Sequence, residues 1–215
     1  LNDFSPNSER PLFARDLGDV GNDEVTLDWA FADYSWKEWL GIRAGALKLP
    51  LGLYMETRDV DSLRTCILLP SSVYDENARD SSQGMKGLSF YGSFPTDMFG
   101  TFQYEVMATG YSITADSGTA RMLEETPGIV SVTSVDTDTA YLASVKWYTP
   151  LNIGSLLLAG YYLDSKMDIT AVGAANSAIT ILSKFAVTVI SVEYSWEDLT
   201  LLAESKLIDR NGVMN

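Results

Sequence analysis

Charged residues recur inside stretches that otherwise alternate apolar and polar: Asp28, Arg43, Glu105, Lys146, Glu193, Glu204 and Lys206. Acids and bases on one face of a wall can oppose each other across an aqueous gap and sort small polar solutes. A second charged set is crowded between 49 and 85: Glu56, Arg58, Asp59, Asp61, Arg64, Asp75, Glu76, Arg79 and Asp80. The chain has no histidine and a single cysteine, Cys66. A Ser-His-Asp triad, a Cys/His zinc site and an intrachain disulfide are therefore excluded. Cys66 lies in the apolar run Thr65–Leu69 and reads as a small hydrophobe. Asp136 and Asp138 are candidate ligands for a divalent cation, although solvated loop carboxylates are the simpler reading. No spacing selects a carboxylate pair for glycoside hydrolysis. No enzymatic activity, metal or cofactor is expected.

These residues sit in hairpins of period-two alternation. In the first, Val25, Leu27, Trp29 and Phe31 form one face, and Leu40, Ile42, Ala44 and Ala46 form a face of the return strand opposite Arg43. In the second, Leu88, Phe90 and Phe94 pair with a return strand bearing Phe102, Tyr104 and Val106. The third places Tyr141, Val145 and Trp147 opposite Lys146. Its return strand, 155–162, is apolar on both faces, so its register stays open. The fourth carries Ile190, Val192 and Tyr194, then Leu199, Leu201 and Ala203. Short turns are expected at 35–38, 95–99, 149–154 and 195–198, all at one end. Long connections are expected near 49–85, 112–137 and 163–183. Tyr34-Ser35-Trp36-Lys37-Glu38 recurs as Tyr194-Ser195-Trp196-Glu197-Asp198, a weak echo of one hairpin unit.

The chain of 215 residues reads as one all-β domain, 1–215. Its net charge of -14 leaves no basic face for nucleic acid. Neither a spanning apolar helix nor a signal peptide is visible, and the non-Met start reads as a processed or cropped terminus. Alternation alone fits a soluble sandwich or a membrane barrel. Three features favour an antiparallel up-and-down transmembrane β-barrel. The strands run about 9 to 11 residues, the length that spans a bilayer at a tilt. Aromatic residues gather by the short turns, where a headgroup girdle would lie. Charges keep to one face, while Val25, Leu27, Trp29, Leu40, Ile42, Phe102, Tyr104, Val106, Val145 and Leu201 are expected to face outward to lipid.

The stretch Trp39-Leu40-Gly41-Ile42-Arg43-Ala44-Gly45-Ala46-Leu47-Lys48-Leu49-Pro50-Leu51-Gly52-Leu53-Tyr54 resembles the porin O/P-like (phosphate-selective porin-like) outer-membrane proteins. There a strand of the form L-G-x-R-A-G-x-x-K-x-P-x-G leads into the first long loop. Glu56–Asp61, Arg64 and Leu68–Tyr74 resemble the same group. The remainder of the chain agrees in hairpin rhythm. The resemblance implies a bacterial outer-membrane barrel of about sixteen strands, commonly a homotrimer, with a loop folded into the lumen and passive diffusion of small hydrophilic solutes or ions. With eight strands visible and no aromatic end residue, the chain then reads as part of that barrel. A complete eight-stranded barrel, its interior filled by side chains, is the alternative. The family's anion preference does not carry over, because a phosphate site needs clustered Lys or Arg and here the signs are mixed.

Arg43, Lys48, Glu56, Arg58, Asp59, Asp61, Arg64 and Arg79, with Glu105, Lys146, Glu193, Glu204 and Lys206, are the expected pore-lining residues. The 49–85 loop also has apolar anchors, Leu51, Leu53, Tyr54, Ile67, Leu68, Leu69 and Val73. They pack it against the wall as a constriction, or cover a subunit contact, or pack within the loop. Two further readings compete with a channel: a non-conducting outer-membrane barrel whose loops bind a ligand or partner, and a soluble lipocalin-like binding domain.

Overall fold

The computed structural model describes residues 29–58, 60, 69–75, 84–115, 117–126, 129–173 and 177–214. The alternating stretches form eight antiparallel strands: β1 (Ala30–Lys37), β2 (Leu40–Leu47), β3 (Met85–Thr96), β4 (Gly100–Thr114), β5 (Ile129–Thr149), β6 (Ser155–Gly173), β7 (Ala178–Trp196) and β8 (Leu199–Met214). They make one meander in sequence order, so each strand pairs with its chain neighbours and β1 and β8 are left as edges. The chain is thus all-β and antiparallel, and the sheet is open. A short helix, α1 (Gly118–Glu124), lies between β4 and β5. Its first turn is capped by the Ser117 hydroxyl, which accepts the Ala120 N–H at 3.0 Å. No helix among the described residues is long and apolar enough to cross a membrane.

Register assigns every strand two faces. One face is covered by the β2–β3 connection and by α1; the other is bare. On the covered face Leu47 pairs with Met85, while Met107, Leu142, Leu163 and Val187 form one ladder, and Leu49, Leu51, Tyr54, Met55, Val73 and Tyr74 of the connection pack onto this side. A smaller cluster joins Ala120 of α1 to Val132, Val135, Ile169 and Ala171. On the bare face lie Leu40, Ile42, Phe102, Tyr104, Val106, Val145 and Leu201, as their parity requires; Val106, Val145 and Leu201 are 50%, 52% and 56% exposed.

Trp29 corrects the expected outward set. Phe31 pairs with Gly45 and Asp33 with Arg43, so the odd residues of β1 share the covered face with Arg43. Trp29 and Phe31 stack at 5.7 Å on that face. The rings earn their place there as partners for cations: Lys48 Nζ lies 5.5 Å from the Trp29 ring and Arg43 Cζ 5.7 Å from that of Phe31. Val25 and Leu27 lie outside the described residues.

The short turns all lie at one end of the meander. The first is Glu38-Trp39, later than 35–38, because β1 carries an irregularity between Ser35 and Lys37 that adds a residue before the reversal. The echoed segment in β7 has no such insertion and turns at Glu197-Asp198, with Glu197 at φ 50°. Two of the three long connections are shorter than expected. Residues 112–114 and 129–137 belong to β4 and β5, and β6 and β7 run to Gly173 and from Ala178. In these distal portions the bare face carries Asp136, Asp164, Lys166, Asp168 and Lys184, and the covered face carries apolar residues with the uncharged Thr137, Ser165 and Ser183. This inverted polarity resembles loop composition when read along the sequence.

Candidate functional site

Arg43 is the centre of a charged cluster on the covered face. Gly41 and Gly45 lie two residues to either side of it on the same face of β2. A Cβ on Gly41 would stand 2.3 Å from the Tyr91 ring, and one on Gly45, where φ is +142°, would stand 2.7 Å from the Phe31 Cα. The missing side chain of Gly41 therefore makes room for the Tyr91 ring against the guanidinium, and that of Gly45 admits the β1 backbone that carries Phe31. The Arg43 Cζ lies 4.1 Å from the Tyr91 ring centre. This is a physical reason for the G-x-R-x-G spacing in Gly41–Gly45.

Directly opposite in register, Asp33 accepts Arg43 Nε at 2.8 Å and the Tyr91 hydroxyl at 2.5 Å. Two more carboxylates complete the ring: Glu105 of β4, 3.8 Å from the guanidinium, and Glu56 of the connection, 3.9 Å from it. Glu56 also faces Lys146 Nζ of β5 at 4.0 Å, and its backbone carbonyl accepts Lys48 Nζ at 3.4 Å. The hydroxyl of Ser89, a fully buried residue, donates to Glu105. Beside the cluster lies a cavity of about 300 Å³ lined by Arg43, Glu56, Tyr91, Gln103, Glu105 and Lys146. A second, of about 210 Å³, is bounded by Trp29, Phe31, Lys48 and the same Arg43, Glu56 and Glu105.

The connection is fastened at a second place, across the sheet. Leu53 N–H and the Ser191 hydroxyl both donate to Glu204 Oε1, at 3.1 and 2.7 Å. Tyr54 donates its hydroxyl to Glu193 at 3.1 Å, and Lys206 Nζ donates to the Val73 carbonyl at 3.2 Å. Tyr74, almost wholly enclosed, accepts the Tyr54 N–H at 3.0 Å. Burial holds its phenol well above the ordinary range, so it stays neutral.

The expected lining residues thus separate by role. Arg43, Lys48, Glu56, Glu105 and Lys146 come together around open space. Glu193, Glu204 and Lys206 tether the connection. Arg58 is 6% exposed, with a guanidinium nitrogen 3.8 Å from Met55 Sδ. Asp59, Asp61, Arg64 and Arg79 lie outside the described residues, as do Asp28 and Cys66. Asp136, a candidate cation ligand, is exposed and accepts the Ser112 hydroxyl at 2.7 Å. Among the described residues no group of His, Cys, Asp and Glu is arranged to hold a metal ion.

Asp33, Tyr91 and Ser89 were not expected in the site. The signal for Asp33 was present but depended on the turn and the strand before it: a reversal at Glu38-Trp39 together with the irregularity between Ser35 and Lys37 places it opposite Arg43, and a reversal at 35–38 does not. Chemically the cluster sets carboxylates of Asp33, Glu56 and Glu105 against cations of Arg43, Lys48 and Lys146 beside the two cavities. It supplies a local field and hydrogen-bonding groups, and its Ser89 hydroxyl is too buried to attack a substrate. Family models, curated proteins and solved structures give no match to this chain.

Proposed function

We propose that this sheet is wall of a porin-like barrel in the bacterial outer membrane, passing small hydrophilic solutes or ions by passive diffusion. The observation that carries the reading is the bare face near the short turns. From those turns to the row Tyr162, Thr188 and Leu207 it holds no Asp, Glu, Lys or Arg on β6, β7 or β8. That band is about nine residues deep, or ~30 Å at ~3.3 Å per residue. At a barrel tilt of about 40° it stands roughly 23 Å tall, close to the ~25 Å apolar band of outer-membrane barrels.

Aromatic rings cluster at its lower margin, with Phe102 stacked on Trp147 at 5.5 Å and Phe94 on Tyr104 at 5.6 Å. Their polar atoms turn toward backbone at the short reversals: Trp147 Nε1 donates to the Phe99 carbonyl and the Tyr104 hydroxyl to that of Trp39, at 2.6 and 2.8 Å. This is the amphipathic placement that suits rings at a headgroup layer. The charged covered face would then line the lumen, with the Arg43–Glu56–Glu105–Lys146 cluster at its narrow place. Closure requires partners for the edges of β1 and β8, either each other or further strands, and a homotrimer is part of the same proposal.

A second reading is favoured by the apolar contact that Leu49, Leu51, Tyr54, Met55, Val73 and Tyr74 make with the sheet. A lumen filled to that extent suits a non-conducting barrel. Purified protein reconstituted in planar bilayers distinguishes the two. The channel reading expects stepwise conductance, with Arg43→Glu shifting the reversal potential toward cation selectivity. Partition into a detergent phase without conductance would leave the non-conducting barrel. Retention in the aqueous phase would overturn both.

A further inference from the structure

Away from the charged cluster, a cavity of about 200 Å³ opens between the β2–β3 connection, α1 and the covered face of β6–β8. Its wall is apolar and unusually rich in methionine: Met55 from the connection, Met85 from β3, Met122 from α1 and Met167 from β6. Thioether side chains are flexible and polarisable, so such a wall adapts to different apolar shapes. Two cations share the wall, Lys206 and Arg210, covered-face residues of β8 on either side of Ile208. Asp75 is the one acid among its described residues, leaving one positive charge in excess. Lys206 donates one hydrogen to the Val73 carbonyl at 3.2 Å, and an ammonium group has two more. Arg210 is exposed.

We infer that this cavity binds a single-chain amphiphile, its tail against the methionines and its anionic head on Lys206 and Arg210. The charge complementarity selects the head, and the size selects the tail. A cavity of about 150 Å³ holds benzene, so by proportion this one takes roughly eight carbons. A carboxylate or a phosphate satisfies the head equally well, since both accept from ammonium and guanidinium donors. The inference is independent of the channel reading, because the cavity is bounded by the connection, the helix and the covered face of the sheet whatever medium meets the bare face.

The test uses the whole chain in lipid nanodiscs, labelled with ¹³C at the methionine methyls and titrated with octanoate, octyl phosphate and octanol. Met122 and Met167 are expected to shift saturably with both anions. Met98, exposed in the β3–β4 turn, is expected not to shift. The double variant Lys206→Gln, Arg210→Gln should weaken both anions by about tenfold or more, as loss of charge-assisted bonds implies, and leave octanol within about twofold. Met122→Trp, placed on the helix side, should abolish the shift at Met167 with all three probes while the circular dichroism is unchanged. Shifts that fail to saturate, or that reach Met98 equally, would overturn the site. Octanol binding as tightly as octanoate to the parent protein, or anions binding the double variant unchanged, would overturn the head-group assignment.

Discussion

The strands β5–β8 change polarity halfway along their length. Near the short turns the covered face carries Ser144, Lys146, Ser191, Glu193 and Glu204, while the bare face carries Val145, Leu158, Ile190 and Leu201. Beyond the row of Tyr162, Thr188 and Leu207 the order reverses. There the covered face holds Leu163, Val187 and Ile169, and the bare face Asp164, Lys166, Asp168, Lys184 and Asp209. The distal half is built like a water-soluble sheet, with a core under α1 and the β2–β3 connection. The proximal half is built the other way round. On the proposed membrane reading, one continuous hydrogen-bonded ladder would serve two solvents. The backbone is satisfied by neighbouring strands in either medium, and only the side-chain parity has to change.

This contrast can be broken by substitution. The largest loss is expected from Leu163→Ala in the distal core, about 2–5 kcal/mol, because the side chain leaves a cavity among packed neighbours. Urea unfolding from lipid vesicles measures it. Ile190→Arg on the proximal bare face should cost about 2–4 kcal/mol by the same assay, whereas Lys166→Ala on the distal bare face should stay within about 0.5 kcal/mol. Equal costs for these two would mean that both halves of the bare face meet the same solvent, and the membrane reading would fall.

Smaller effects sharpen the role of the connection. Tyr54→Phe removes a hydrogen bond to the Glu193 carboxylate and should cost about 1–2 kcal/mol. It should also speed limited proteolysis between the two fastening points; an unchanged cleavage rate would show that apolar packing alone holds the segment. Asp33→Asn is the mildest. It cuts one partly exposed ion pair, for which well under about 1 kcal/mol is expected. In reconstituted protein its effect should appear in the reversal potential, moved toward anions, and not in the unfolding midpoint.

The hairpin rhythm, the all-β class and the common end of the short turns were legible because period-two alternation survives wherever one face differs from the other. The same rule explains what was misread. Around 129–137 and 163–183 the apolar residues belong to the covered face and the charges to the bare one. A reader expecting apolar-out strands sees there a polar loop. Irregularities in β5 between Thr137 and Ala140, and between Val132 and Ser134, shift the parity as well.

By itself, the sequence determined the strands of the proximal half, the absence of histidine chemistry, and a 49–85 connection with apolar residues to pack. The tertiary structure decided which face each strand shows and which charges meet. Arg43 finds Asp33 only through the position of a two-residue turn and the irregularity in β1 before it, and finds Glu56, Glu105 and Lys146 only through long-range contacts. A one-residue change in register sends every side chain of a strand to the opposite face, so composition can predict that charges will gather but not which ones.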